Sequence, residues 1–210
     1  MLDTHKLILQ VNKLGVRRSE RWLFRNLDLK LSSGEIYQVV GQNGAGKTSL
    51  LRCLCGLLPE QEGDIAWQQD DEMPIIPLFY GHLPAVKPEL TVLENLLYHP
   101  INGNFYNGDV IEAALHEVGL GAYFDSEARH LSAGQARRVA LARLLIADSK
   151  CWILDEPFTA LDVKGCTWLE GIISSYVKRG GSVLLTSHQP VSLDVELKML
   201  EIVEDMNSHV

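Results

Sequence analysis

The sequence predicts an α/β fold in which buried parallel strands carry an inserted group of helices. Compact apolar runs typical of such strands occur at Ile75–Tyr80, Cys151–Leu154 and Ser182–Thr186. Between these runs lie three helical patterns joined by loops rich in Pro, Gly and Asn, at Thr91–Tyr98, Asp109–Val118 and Gly134–Ala147. We therefore expect a single domain, with residues 1–80 and 151–210 forming the α/β core and residues 81–150 forming a helical subdomain.

The first part of the chain predicts an antiparallel β subdomain that leads into the core. Leu7–Val11 and Leu27–Leu31 show alternating or nearly alternating apolar positions, which favours antiparallel strands. Glu35–Val40 is a short apolar strand that runs into a glycine-rich turn. Helical spacing follows over Lys47–Leu58, and Pro59 marks the predicted end of that helix.

The composition indicates an ordinary globular protein with an acidic balance. The 210 residues are 46% hydrophobic and 22% charged, which suffices for a full core. A formal net charge of −8 disfavours nucleic acid as the main partner. No apolar run approaches the roughly 18 residues of a membrane-spanning helix, and the first residues do not have the pattern of a secretory signal. We expect a cytoplasmic protein.

One glycine-rich segment carries the strongest chemical signal. Residues 41–48 match G-x-x-x-x-G-K-[ST] between a predicted strand and a predicted helix. Backbone N–H groups of such a loop curl around an anionic phosphate, and the helix N-terminus adds partial positive charge. Lys47 is expected to reach the β- and γ-phosphates of a nucleotide, and the Thr48 hydroxyl to ligate Mg²⁺. The candidate binding residues of this phosphate loop are Gly41, Gln42, Asn43, Gly44, Ala45, Gly46, Lys47, Thr48 and Ser49.

Two acids follow the apolar run Cys151–Leu154. Parallel strands of an open α/β sheet end beside the phosphate loop, so these acids are expected near a bound nucleotide. Asp155 is the expected second Mg²⁺ ligand. Glu156 is the candidate general base that orients or deprotonates the attacking water. Many buried strands end in an acid, so this signal becomes strong only in combination with the phosphate loop.

Three further motifs identify the family. Leu131–Gln135 has the sequence LSAGQ and begins a predicted helix, Asp155–Asp162 has DEPFTALD, and Ser187–Pro190 has SHQP. With these motifs in this order over almost the whole chain, the sequence resembles the ATP-binding subunits of ABC transporters. The resemblance implies a P-loop NTPase (RecA-like) core with an antiparallel β subdomain and an inserted α-helical subdomain. Generic P-loop kinases and GTPases lack the LSAGQ helix and are disfavoured.

The resemblance also implies a head-to-tail homodimer that binds ATP and Mg²⁺ in composite sites. Each ATP would lie between the phosphate loop of one subunit and the LSAGQ motif of the other, where the implied binding residues are Ser132, Gly134 and Gln135. Asp162 would bridge to the opposite site. His188 would contact the γ-phosphate and help to position Glu156, as a third implied residue of the catalytic machinery.

Three positions depart from the family pattern, of which Ala133, in place of the middle glycine of the usual LSGGQ, is a mild change. ABC subunits usually have an aromatic residue upstream of the phosphate loop that stacks on adenine. The equivalent stretch Val16–Arg18 has none, and Trp22 is too close to the following strand to take this role. Either an arginine of that stretch stacks instead, or both arginines are solvated surface residues. The glutamine that the family usually has in its Q-loop is His82 here, when counted back from Leu90 and Thr91. His82 is expected either to act on Mg²⁺ or the attacking water, or only to contact a partner loop.

Four segments carry a closer resemblance: Tyr80–Pro84, Lys87–Thr91, Trp152–Asp162 and Ser187–Pro190. They resemble one branch of the family, the CcmA ATPases of the CcmABCD system for cytochrome c maturation, a haem exporter. This resemblance implies integral membrane partners of the CcmB, CcmC and CcmD type, at the cytoplasmic face of the bacterial inner membrane. Either the partners contact the region of His82–Pro88 and Thr91–Tyr98, or this region is a purely solvated surface. Hydrolysis would drive release of a haem-loaded chaperone, although this sequence has no haem-ligand motif of its own.

Two alternatives remain at this point. An ABC subunit that serves an exporter of another substrate would carry the same nucleotide motifs. ABC ATPases that act on DNA or ribosomes carry long coiled-coil insertions or a second ATPase on the same chain, and these features are absent from the 210 residues. The second alternative is therefore disfavoured by the sequence, whereas the first is not.

Overall fold

The computed structural model describes residues 6–70, 73–99 and 108–203. The chain divides into two compact units. One combines the described residues up to Phe79 with those from Lys150 onwards, and the other is Tyr80–Ser149. In the described part of the chain, no helix is long and apolar enough to cross a membrane.

In chain order the elements are β1 (Leu7–Arg18), β2 (Arg21–Ser32), β3 (Ile36–Val40), α1 (Lys47–Leu54), β4 (Glu62–Trp67), β5 (Gln69–Asp70), β6 (Met73–Pro74), β7 (Leu78–Tyr80), α2 (Val92–Leu97), α3 (Gly108–Glu117), α4 (Ala133–Ile146), β8 (Cys151–Leu154), α5 (Val163–Lys178), β9 (Ser182–Leu185) and β10 (Leu197–Glu201). Short 3₁₀ helices lie at Gly121–Tyr123 and Ala128–His130.

The first unit contains the predicted combination of an antiparallel and a parallel sheet. In the antiparallel sheet the order is β2-β1-β4, and Val11 of β1 lies opposite Leu29 of β2 and Ile65 of β4. In the five-stranded sheet the order is β10-β3-β9-β8-β7, with parallel pairing from β10 through β8. Every residue of β8 and β9 is buried, as expected of strands covered on both faces.

Several predicted element boundaries were wrong, since β1 continues to Arg18 and β2 already begins at Arg21. Helix α1 ends at Leu54 rather than at Leu58, because Gly56 adopts a left-handed φ of 68°. The N–H of Leu57 then donates to Arg52 and that of Gly56 to Cys53, which closes the helix in a Schellman motif. The apolar run from Ile75 forms a strand only from Leu78, because Pro77 has no N–H for a ladder.

The second unit contains helices α2, α3 and α4. Each of α2 and α4 begins with a capping box. At α2, the Thr91 hydroxyl accepts from the N–H of Glu94, and the Glu94 carboxylate accepts from the N–H of Thr91. Asn95 joins α2 to the segment before it through two hydrogen bonds. Its side-chain amide donates to the carbonyl oxygen of Lys87 at 3.0 Å and accepts from the N–H of Lys87 at 2.7 Å. The segment before α2 is thus fixed to that helix.

Candidate nucleotide-binding site

The phosphate loop joins β3 to α1 in a backbone conformation that requires glycine. Gly41 has a φ of 152°, and a Cβ there would lie 2.8 Å from the carbonyl oxygen of Ile202. Gly46 has a φ of 102°, and a Cβ there would lie 2.9 Å from Cβ of Leu23. Both values combine a left-handed backbone with a steric conflict, so only glycine fits. The loop therefore presents backbone amides at the N-terminus of α1, where an anion is stabilised.

Lys47 reaches back over this loop. Its ammonium donates to the carbonyl oxygen of Gly41 at 2.8 Å and to that of Gln42 at 3.2 Å. The positive charge is therefore held at the loop that supplies the backbone amides. A lysine in this position can bind phosphate oxygens as a point charge.

Thr48 and Asp155 lie together, as the sequence predicts. The Thr48 hydroxyl donates to Oδ1 of Asp155 at 3.1 Å, and Asp155 is only 1% exposed. Mg²⁺ takes oxygen ligands and is usually held by one or two carboxylates together with substrate phosphates. A hydroxyl and a carboxylate at the end of the phosphate loop are a donor set of this kind, so these two residues fit a Mg²⁺ site.

Glu156 and His188 face each other across the ends of two neighbouring strands. The backbone N–H of His188 donates to Oε2 of Glu156 at 3.2 Å, and its ring Nε2 lies 3.4 Å from Oε1. The Glu156 side chain is 16% exposed and that of His188 is 61% exposed. A carboxylate held beside an imidazole, and still open to water, can accept a proton from a water molecule.

Ser132 and Gln135 form the N-terminus of α4 in the second unit. The Ser132 hydroxyl oxygen accepts from the N–H of Gln135 at 3.2 Å, and the Gln135 side-chain oxygen accepts from the N–H of Ser132 at 2.8 Å. This capping box leaves the Ser132 hydroxyl proton available to a ligand. Gly134 is exposed beside it, and a Cβ on Gly134 would meet nothing within 4 Å. The end of the helix is thus open and carries N–H donors.

Comparison with known proteins identifies the family. The family model described as ABC transporter matches residues 24–159, which include the phosphate loop, the LSAGQ motif and both acids. The chain belongs to the ABC transporter family. Two curated relatives are both named cytochrome c biogenesis ATP-binding export protein CcmA. The relative from Dechloromonas aromatica is 47% identical over 89% of this chain and 95% of its own length. The relative from Aliivibrio fischeri is 45% identical over 94% of this chain and 100% of its own length.

The same fold occurs in a solved ABC transporter subunit. An ATP-binding cassette of an ABC transporter in its ADP conformation superposes with a TM-score of 0.69 and 22% identity, over 94% of this chain and 89% of that one. The chain is thus an ABC ATP-binding subunit of the CcmA type, with ATPase activity and an ATP site built on the P-loop NTPase fold.

Two further residues that the ABC resemblance implies make contacts within their own units. Asp162 caps α5, and its Oδ1 accepts from the N–H of Gly165 at 2.8 Å. His82 lies exposed in the loop after β7, where its carbonyl oxygen accepts from the guanidinium of Arg137 at 3.4 Å. The Asp162 carboxylate is thus held at the start of α5.

Two arginines of the same β subdomain lie over the ring of Trp22. The guanidinium of Arg25 lies 4.6 Å from the ring centroid, and that of Arg17 lies 6.0 Å from it. Arg25 also donates twice to Glu62, with its Nε 2.9 Å from Oε2. Trp22 is therefore a packed residue of the β1–β2 hairpin, whereas Arg17 and Arg18 remain exposed at the end of that hairpin.

Sequence reasoning missed one residue that contacts both acids. Thr186 is 1% exposed, and its hydroxyl lies 3.0 Å from Oδ1 of Asp155 and 2.9 Å from the backbone nitrogen of Glu156. From the sequence, Thr186 is predicted only to end an apolar strand. Its position two residues before His188 was the available signal, because the ends of neighbouring parallel strands share one edge of the sheet.

Proposed function

We propose that this chain is the ATP-hydrolysing subunit of a membrane export complex that acts in cytochrome c biogenesis. The observation that carries the proposal is the joint occurrence of two features. Thr48, Asp155, Glu156 and His188 lie in one cluster beside the phosphate loop. The relatives that carry the name of a cytochrome c biogenesis ATP-binding export protein match almost the whole chain at 47% and 45% identity.

In this proposal the chain's own groups perform distinct tasks in hydrolysis. The phosphate-loop amides and Lys47 bind the β- and γ-phosphates. Mg²⁺, held through Thr48 and Asp155, would supply electrostatic stabilisation of the phosphate oxygens. Glu156 orients the attacking water and accepts its proton, while His188 holds the Glu156 carboxylate and contacts the γ-phosphate. His82 would accept a hydrogen bond from the water or a metal-bound group through a neutral ring nitrogen.

The proposed site is completed by a second copy of the chain. Ser132, the N–H of Gly134 and Gln135 would bind the γ-phosphate held by the partner's phosphate loop, since an exposed helix N-terminus stabilises an anion. Asp162 would reach the opposite site across the same interface. Such a head-to-tail pair contains two equivalent sites related by a two-fold axis. Hydrolysis would then depend on assembly of the dimer.

The proposed membrane partners are integral subunits of the CcmB, CcmC and CcmD type, with this chain bound at the cytoplasmic face of the bacterial inner membrane. Two large apolar side chains in the expected contact region are open to a partner: Leu83 is 76% exposed and Tyr98 is 62% exposed. Energy from hydrolysis would be used to release a haem-loaded chaperone from the complex.

A deletion and complementation experiment tests this proposal. The gene is deleted in its native bacterium, and c-type cytochromes are measured by covalent haem staining of membrane fractions. We expect them to be lost and then restored by the wild-type chain and by the surface control Lys30→Ala, but not by Glu156→Gln. Unchanged c-type cytochromes, together with purification of the chain on other membrane proteins or on nucleic acid, would contradict the proposal.

A further inference from the structure

We infer that Thr186 is a positioning residue that sets the geometry of Asp155 and Glu156 through a single hydroxyl group. The inference rests on the proposed hydrolytic function and adds a residue to it. Thr186 lies directly after β9, and its backbone N–H donates to the carbonyl of Leu154 at 2.9 Å. This bond continues the β8–β9 ladder past the pair Leu154 and Leu185, so the Thr186 side chain is held at the point where the acids begin.

The direction of the two hydroxyl contacts follows from the groups involved. The Glu156 nitrogen carries a proton and can only donate, so Oγ1 of Thr186 accepts this bond at 2.9 Å. The hydroxyl proton is therefore free for Oδ1 of Asp155, 3.0 Å away. The result is one directed chain from the N–H of Glu156 through Thr186 to the carboxylate of Asp155. One side chain thus fixes both the peptide between the acids and the orientation of the buried carboxylate.

Glu156 needs such support because its backbone is strained. Its φ of 54° lies in the left-handed region, which is unfavourable for a non-glycine residue. The hydrogen bond from its N–H to Thr186 holds that conformation. The conformation in turn sends the Glu156 side chain to His188, while Asp155 turns into the protein toward Thr48. Without the hydroxyl, the peptide can relax and both carboxylates lose their fixed positions.

A second buried hydroxyl in the same strand provides a matched control. Ser182 is fully buried at the start of β9, and its hydroxyl donates to the carbonyl oxygen of Ser32 at 2.8 Å. This contact lies at the opposite end of the strand from the acids and touches neither of them. Ser182→Ala therefore removes one buried hydroxyl hydrogen bond, with its stability cost, and leaves the acids in place.

The experiment compares Thr186→Val, Thr186→Ser and Ser182→Ala with the wild type. ATP affinity is measured with Mg²⁺ and with EDTA, thermal unfolding is followed, and hydrolysis is measured as kcat and KM. Loss of a partner that orients a metal ligand typically costs about 10–100-fold in metal affinity or activity. For Thr186→Val we expect unchanged ATP affinity in EDTA, a loss of most of the affinity gained with Mg²⁺, and a fall in kcat of about 10–100-fold. Thr186→Ser should recover both properties.

Ser182→Ala should lower the unfolding temperature without changing kcat or the Mg²⁺ effect. If Thr186→Val does not fold, Thr186→Ala replaces it, and the same separation of kcat and Mg²⁺ effect from stability is required. A valine or alanine variant that hydrolyses ATP and responds to Mg²⁺ like Ser182→Ala would overturn the inference. A wild-type chain that does not hydrolyse ATP would instead overturn the proposed function, so the two failures are distinguishable.

Discussion

The guanidinium of Arg143 donates to the carbonyl oxygen of Pro84 at 2.8 Å and thereby ties helix α4 to the loop that follows β7. A second nitrogen donates to the carbonyl of Ala85 at 2.9 Å, and Arg143 is only 6% exposed. Burial lowers the Arg143 pKa to about 10, so the side chain stays charged near neutral pH. The helix that begins with the LSAGQ motif and the loop that contains His82 are thus joined by one buried cation.

Replacing Arg143 by lysine should destabilise the second unit. A lysine ammonium cannot reproduce the two-pronged contact, and a hydrogen bond from a charged group contributes about 1.5–3 kcal/mol. We expect Arg143→Lys to lower the free energy of unfolding by about 2 kcal/mol in urea titrations. Arg138→Lys, an exposed position on the same helix, is the control and should stay within about 0.5 kcal/mol of wild type. Equal stability of the two variants would contradict the interpretation that the two hydrogen bonds of Arg143 stabilise the second unit.

His99 should make the protein less stable at acidic pH. Its Nδ1 is buried without a hydrogen-bond partner among the described residues. Burial and the nearby charge of Arg143 lower the His99 pKa to about 4. The unfolded chain binds the proton at a higher pH than the folded chain, so protonation favours unfolding as the pH falls through this range.

We therefore expect the wild type to lose about 1–2 kcal/mol more than His99→Leu between about pH 7 and about pH 5, measured by urea unfolding. His130→Leu is the control, because His130 is exposed and should leave the pH dependence unchanged. If His99→Leu loses as much stability on acidification as the wild type, then the buried imidazole is not the source of the acid sensitivity.

Lys47→Ala should weaken nucleotide binding rather than only slow hydrolysis. The ammonium lies 2.8 Å from the Gly41 carbonyl oxygen, within the loop whose amides would bind phosphate, so its removal deletes the positive charge of the proposed phosphate site. We expect at least a tenfold loss of ATP affinity (about 1.4 kcal/mol), measured by equilibrium binding of a fluorescent ATP analogue. Lys30→Ala removes an exposed lysine on β2 and should bind as the wild type does. Equal affinities would argue against the assigned phosphate contact.

The proposed composite site predicts that two inactive variants complement each other. Lys47→Ala damages the phosphate loop, and Ser132→Arg blocks the exposed helix end that is proposed to face the second copy. A dimer with one chain of each type contains one site in which both halves are intact. ATPase activity of the mixture should therefore exceed the sum of the two separate samples, and the wild-type rate should rise more than linearly with concentration. A mixture no more active than its components would count against head-to-tail assembly.

The sequence predicted the site where its signals were local. The spacing from Gly41 to Thr48 specifies the phosphate loop directly. The glycines allow the backbone conformation of the loop, and the lysine and threonine that act with the loop follow it at once in the sequence. Thr186 was not predicted as a site residue. Its partners Asp155 and Glu156 follow another strand, and only the pairing of β8 with β9 brings them close to Thr186.

Tertiary pairing also explains the missed strand β4. Its residues Glu62–Trp67 include two acids and a glycine, which gives no clear strand pattern. The strand forms because β1 offers it an edge opposite Ile65. By contrast, the end of α1 was predicted wrongly although the sequence contains its signal. Gly56 favours the left-handed conformation that ends a helix.

The proposed role of Glu156 as the general base of ATP hydrolysis can be measured by single-turnover hydrolysis in Glu156→Gln. Glutamine keeps the shape of the side chain but cannot accept the proton of the attacking water, a loss that typically costs about 10²–10⁴-fold in rate. We expect normal ATP affinity, a rate reduced by about 10²-fold or more, and accumulation of an ATP-bound dimer. A variant that binds ATP normally and keeps more than about a third of the wild-type rate would contradict it.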